Sequence, residues 1–178
     1  MVGVVFVTSN DNKAREASQV LGIDLKRKKL DLDEIQDMNL EKIIEHKARQ
    51  AYRKLKTPII VEDVGFYIDA WKGFPGPFIK WIHETMGYEV LPTLLKANRN
   101  VKWVVTYAYC DAKGFKSFTG IAKGTIAKKQ MGSEGWGFDV LFIPDGQTKT
   151  IAELGRAMKP KFSARHKALK KLKLYLTK

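Results

Sequence analysis

The chain has 178 residues, 44% hydrophobic and 11% aromatic, which is enough apolar material for a packed core and excludes general disorder. Thirty-two lysines and arginines against 19 acids give a net charge of +13, which favours a polyanionic partner: nucleic acid, a phosphate-rich small molecule or an acidic surface. No apolar run reaches the ~20 residues of a membrane-spanning helix, and the single Cys110 excludes an internal disulfide and a multi-cysteine zinc site.

Residues 2–8 (VGVVFVT) form a short β-branched apolar run, expected to be a buried strand. It opens directly at the N-terminus with no basic leader, so a cytoplasmic protein is expected. Ser9-Asn10-Asp11-Asn12 stops the strand, and Ala14, Ala17, Val20 and Leu21 then recur at helical spacing before Gly22. Residues 26–32 suggest a second strand. Residues 40–55 suggest an amphipathic helix with Lys47 on its apolar side. The run 58–61 (PIIV) suggests a strand ending at Glu62-Asp63, with another short strand at 65–70 and a Gly/Pro turn at 73–77.

Helices are expected over 78–85 and 89–97. Residues 102–110 and 115–127 suggest an antiparallel hairpin about the turn 111–114. A glycine-rich loop at 132–137, a strand at 140–143, a helical turn at 150–154 and a basic helix at 162–176 complete the chain. No acid follows Glu153, whereas nine lysines and arginines do. The pattern predicts an α/β fold: a mixed central sheet flanked by helices, in two lobes with a cleft between them. All of residues 1–178 are expected to form one domain.

Five segments carry candidate chemistry. Thr8-Ser9-Asn10-x-x-Lys13 leads from a strand tip into a helix, where free N–H groups, an amide and an ammonium suit a phosphate, although no glycine-rich P-loop is present. Glu62-Asp63 needs a cation, supplied either by lysine or by Mg²⁺ with substrate phosphates. Residues 73–81 (GFPGPFIKW) give a rigid loop with Lys80 after it. Trp136, Phe138 and Asp139, among glycines, offer ring faces to a base and a carboxylate to a ring N–H. Lys159, Ser163 and Arg165 offer donors to a purine edge. Each has a plainer use as a cap, a turn, a core ring or a solvated face. The three histidines show no metal spacing.

In this order the segments resemble the inosine/xanthosine triphosphate pyrophosphatase family. The resemblance rests on TSNDNK (8–13), DEIQ (33–36), the helix with Lys47, VEDVGFYIDAWKGFPGPFIKW (61–81), GWGFDVLF (135–142) and TIAELGRAMKPKFSARHKAL (150–169). It implies an elongated two-lobed α/β fold with the nucleotide in the cleft, a homodimer, and Mg²⁺-dependent hydrolysis of non-canonical purine nucleoside triphosphates (ITP, dITP, XTP) to the monophosphate and pyrophosphate. It also implies roles. Thr8, Asn10, Lys13, Lys47 and Lys80 hold phosphates, and Glu34 and Asp63 hold the metal. Asp63, with Glu62 beside it, directs the attacking water. Trp136, Phe138 and Asp139 border the base or sugar, and Lys159, Ser163 and Arg165 read the base. The chain departs from the family pattern at Ser163-Ala164-Arg165, where the family has Ser-His-Arg, so base discrimination is the property placed in question. Two alternatives stay open: a related pyrophosphatase of relaxed or pyrimidine specificity, and a basic nucleic-acid-binding module, the latter less favoured.

Overall fold

The computed structural model describes residues 3–177. In chain order it has β1 (Val5–Val7), α1 (Asp11–Leu21), β2 (Lys26–Lys28), α2 (Leu40–Leu55), β3 (Ile59–Ile68), β4 (Pro75–Gly76), α3 (Ile79–Met86), α4 (Val90–Leu94), β5 (Asn100–Asp111), β6 (Gly114–Ile126), β7 (Phe142–Pro144), α5 (Ile151–Leu154), α6 (Lys159–Phe162) and α7 (Ala164–Leu176). The strands form one seven-stranded mixed sheet in the order β2-β1-β3-β5-β6-β7, with β4 paired to β3. β1 runs parallel to β2 and β3, whereas β4 on β3 and β7 on β6 are antiparallel. The fold is the expected mixed α/β sheet flanked by helices.

Several expectations change in detail: the helix expected over 89–97 covers only Val90–Leu94, and the basic helix expected over 162–176 begins at Ala164, after the separate turn α6. The second strand covers only Lys26–Lys28, three exposed cationic residues, and ends before Leu30 and Leu32, which pack partly buried against the core of the first unit. The two short strands expected around Glu62-Asp63 are one ten-residue strand, β3, so the acids lie inside it rather than at its end. The strand expected from residue 140 begins at Phe142, because residues 137–140 wind into a 3-10 turn.

The contacts divide the chain into two compact units, and β3, β5, β6 and α7 each contribute residues to both. Among the described residues the first comprises 3–63, 105–120 and 167–177. Strand alternation explains its core. Val5, Val7, Ile59, Val61, Ala108 and Cys110 project to one face, where Ile44, Ala48 and Ala51 of α2 cover them. Phe6 and Tyr107, set off by one residue, meet on the other face with ring centroids 5.8 Å apart.

The second unit comprises Val64–Val104 and Ile121–His166. Its core is aromatic. Phe138 stacks on Phe66 at 4.4 Å, and Trp103 meets Phe66, Phe138 and Phe142 edge-on. Arg99 ties the ends of two elements together beside this core. Its guanidinium donates to the carbonyls of Pro92, Leu95, Ile126 and Ala127, so one planar fork satisfies the end of α4 and the exit of β6.

Candidate functional site

In the first unit, β3 presents two acids to two sets of partners. Glu62 follows the register of Ile60, and Asp63 that of Ile59 and Val61, so their side chains leave opposite faces of the sheet. The Glu62 side chain is 1% exposed. Its Oε1 lies 3.1 Å from Lys13 Nζ of α1, and its Oε2 accepts from the Tyr107 hydroxyl at 2.9 Å. The Asp63 side chain is 23% exposed, and its Oδ2 accepts from Lys47 Nζ of α2 at 2.9 Å.

Glu34 joins the second set, with its Oε1 3.7 Å from the same Lys47 Nζ. Lys47 is therefore flanked by carboxylates from two separate segments. Burial of the ammonium pulls its pKa down, but Asp63, then Glu34 and Glu62, pull harder, and the net shift is upward. Two groups not anticipated from sequence hold Glu34's segment. Gln50 accepts from the Asp33 N–H at 2.8 Å and donates to the Asp33 carboxylate, and Lys54 donates to the Asp31 carbonyl. Lys47, Gln50 and Lys54 recur at i, i+3 and i+7, so they share a face of α2; that spacing is the signal that would have found them.

The strand-tip segment is built as a cap. Asn10 accepts from the Lys13 N–H at 3.1 Å as the N-cap of α1, and Thr8 Oγ1 accepts from the Asn10 N–H at 3.1 Å. This fixes Lys13 on the first turn, from which it reaches Glu62. The basic helix α7 spends part of its charge internally. Lys171 and Lys173 donate to the carbonyls of Thr119 and Val20.

In the second unit, Asp139 is fully buried. Its Oδ2 accepts from the Trp136 N–H at 2.9 Å and from Lys159 Nζ at 2.7 Å, while its buried Oδ1 has no hydrogen-bond partner. Gly135 makes the turn possible. It has φ +100°, and a Cβ there would lie 2.4 Å from Asp139 Oδ2. Lys159 Nζ lies 5.2 Å from the centre of the Trp136 ring, and the Arg165 guanidinium lies 4.6 Å from it. Arg165 and Ser163 are themselves buried, at 3% and 1% exposure, and Ser163 Oγ accepts from the His166 N–H at 3.4 Å at the start of α7.

The unit thus brings together Trp136, Asp139, Lys159 and Arg165, with Ser163 on the adjoining helix start. Phe138 belongs to the packing beneath them, stacked on Phe66. Lys80 is exposed, and its Nζ lies 5.7 Å from the centre of the Trp81 ring. Tyr88, which the sequence did not single out, meets Phe138 edge-on at 4.4 Å.

Among the described residues, no three His, Cys, Asp or Glu side chains gather into a metal cage. Glu34 and Asp63 nonetheless bring hard oxygen donors to one cationic point, the Lys47 ammonium. Carboxylate oxygens are the donors that a hard divalent ion takes, commonly together with phosphate oxygens. No described helix is long and apolar enough to cross a membrane.

The chain is 41% identical to a dITP/XTP pyrophosphatase of Methanopyrus kandleri over 174 residues, covering 94% of this chain and 93% of that protein. It is 37% identical to an inosine triphosphate pyrophosphatase of Candida glabrata, covering 97% and 96% of the two chains. Among solved structures it is similar to a HAM1 protein from Coxiella burnetii, with TM-score 0.82, 25% identity and 99% of each chain covered. The Ham1 family model matches residues 4–175, and the chain belongs to the Ham1 family.

Proposed function

We propose that this chain is a nucleoside triphosphate pyrophosphatase that hydrolyses deaminated purine nucleotides, ITP, dITP and XTP, to the monophosphate and pyrophosphate, with Mg²⁺ as its metal. The observation that carries the reading is the convergence of Glu34 and Asp63 on Lys47, beside the Lys13–Glu62 pair. Relatives named dITP/XTP and inosine triphosphate pyrophosphatases support the same reaction.

Glu34 and Asp63 would hold the metal, which when bound neutralises charge on the departing pyrophosphate. Lys13 and Lys47 bind phosphate oxygens in exchange for part of their carboxylate contacts. Thr8, Asn10 and Lys80 assist, Asn10 through the amide NH₂ that its capping oxygen leaves over. Asp63 orients the attacking water and takes its proton, because its carboxylate is exposed where that of Glu62 is enclosed by Lys13 and Tyr107. Water oxygen bonds to the α-phosphorus, the bond from that phosphorus to the bridging oxygen breaks, and pyrophosphate leaves.

Trp136 supplies a base platform, backed by the Phe138 packing. Lys159, Ser163 and Arg165 donate to a keto group, and the orphan oxygen of Asp139 accepts from the ring N1–H. Adenine reverses both polarities, so it is rejected. A homodimer in the cytoplasm is part of the same reading.

Incubation of the purified protein with Mg²⁺ and a panel of ITP, XTP, dITP, ATP, GTP, UTP and dTTP tests the reading. Pyrophosphate and a monophosphate are expected from the keto-purines without the 2-amino group. Orthophosphate as product, or no turnover of any keto-purine triphosphate, overturns it.

A further inference from the structure

Tyr88 is a polar group of the second unit that the proposed function leaves unused. It lies between α3 and α4, half-buried, with its ring clamped from two sides. His83 stacks on it with centroids 3.6 Å apart and planes within 7°, and Phe138 meets it edge-on at 4.4 Å. Phe138 and Asp139 are successive residues of one 3-10 turn, so the clamp fixes the tyrosine against the segment that carries the orphan carboxylate oxygen. The hydroxyl lies 3.5 Å from where a Cβ on Gly137 would sit, beside the residue that follows Trp136. Among the described residues this hydroxyl makes no hydrogen bond, although a half-buried phenol ordinarily finds a partner.

The surrounding polar groups have fixed characters. Lys159 and Arg165 only donate, and ionised Asp139 only accepts. A phenol O–H is a neutral donor that keeps its proton here: burial raises its pKa, while the charges of Arg165 and Asp139 act on it in opposite directions. At the position where the family pattern has a histidine, the chain has Ala164, which is fully buried and contributes no polar atom. The base-reading group is therefore one polar contact short on α7 and has one polar contact to spare at Tyr88.

We infer that Tyr88 is a specificity residue of this enzyme, its hydroxyl donating a hydrogen bond to a carbonyl oxygen of the keto-purine ring. The inference rests on the assignment of the second unit's group to base reading.

The test compares Tyr88→Phe and Tyr88→Leu with the wild type, using ITP, XTP and ATP as substrates and IMP as a binding probe without metal. Phenylalanine keeps both ring contacts and removes only the hydroxyl. Tyr88→Phe is expected to lower kcat/KM for ITP and XTP by about three- to tenfold through KM, to weaken IMP binding by the same factor, and to leave ATP turnover unchanged. Tyr88→Leu is expected to show the same loss of selectivity together with a lower melting temperature. Wild-type selectivity in Tyr88→Phe, with loss confined to Tyr88→Leu, would assign the ring a packing role only and overturn the inference. A wild type that turns over no keto-purine triphosphate would instead overturn the function proposed above. The two failures are thus read from different proteins.

Discussion

Glu62 and Asp63 are adjacent in sequence and project from opposite faces of β3, Glu62 to Lys13 and Tyr107, Asp63 to Lys47. The pair is therefore two separate devices. The Glu62 carboxylate is enclosed, with Lys13 and Tyr107 on its two oxygens, whereas the Asp63 side chain is 23% exposed and pairs with Lys47.

This separates the expected effects of two isosteric changes. Asp63→Asn keeps the size of the side chain and removes its basicity, so kcat for ITP is expected to fall by about 100-fold or more. Its circular dichroism spectrum is expected to stay near that of the wild type, while its melting temperature falls modestly because Lys47 loses its main carboxylate. Retention of more than a third of wild-type kcat would remove Asp63 from the role of base.

Glu62 makes the opposite prediction. Lys13→Met leaves a buried carboxylate with Tyr107 but without its ammonium, which is expected to cost about 2 kcal/mol, because one partner of a buried pair is lost. In a domain of this size that is a fall of about 6 °C in melting temperature. The double variant Lys13→Met/Glu62→Gln removes the uncompensated charge and is expected to regain part of the loss. Additive losses in the cycle would show that the two groups do not interact.

Much of this arrangement is legible in the sequence, and the exceptions share a cause. Apolar periodicity marks α2, and the Ser-Asn-Asp-Asn run marks the start of α1, because burial and capping act locally. Glu62 and Asp63 read as a strand end because acids rarely continue a buried strand; Lys13, Lys47 and Tyr107, distant in sequence, compensate them inside it. Phe138 and Trp136 look equivalent as aromatic residues among glycines, yet the fold places one on Phe66 and the other beneath Lys159 and Arg165. Arg99 and Tyr88 carried no local signal at all, since their partners come from other elements.

Alkaline pH is expected to destabilise the fold in a defined window. Burial, aided by the hydrogen bond that Tyr109 donates to Asp111, raises the Tyr109 pKa to about 12 from an ordinary value of 10.0. The unfolded chain then loses the tyrosine proton first, so the contribution is complete below pH 10 and is lost as pH rises towards 12. Lys47 acts in the same direction, because its raised pKa gives stability that is full below the ordinary lysine value of 10.5 and lost above it. Melting temperature is expected to fall between pH 10 and 12, and Tyr109→Phe is expected to flatten part of that slope. An identical slope in Tyr109→Phe would show that the phenol does not contribute.

Asp139 uses its two oxygens differently. Oδ2 is committed to the Trp136 N–H and to Lys159, and Oδ1 is the buried acceptor left over. Asp139→Asn preserves shape but removes the charge that balances Lys159, itself 8% exposed. Loss of this carboxylate at 2.7 Å from the buried ammonium is expected to cost about 3 kcal/mol, seen as a lower denaturation midpoint in urea. If the amide turns its NH₂ toward the ring N1–H, a donor faces a donor. KM for ITP is then expected to rise at least tenfold, with a smaller change in kcat. Asp139→Ala leaves the ring N1–H unpartnered without opposing it with a donor, so its KM for ITP should lie between wild type and Asp139→Asn, although its stability is lower still. Equal KM values for all three proteins would confine Asp139 to the ion pair with Lys159 and take the acceptor role away from it.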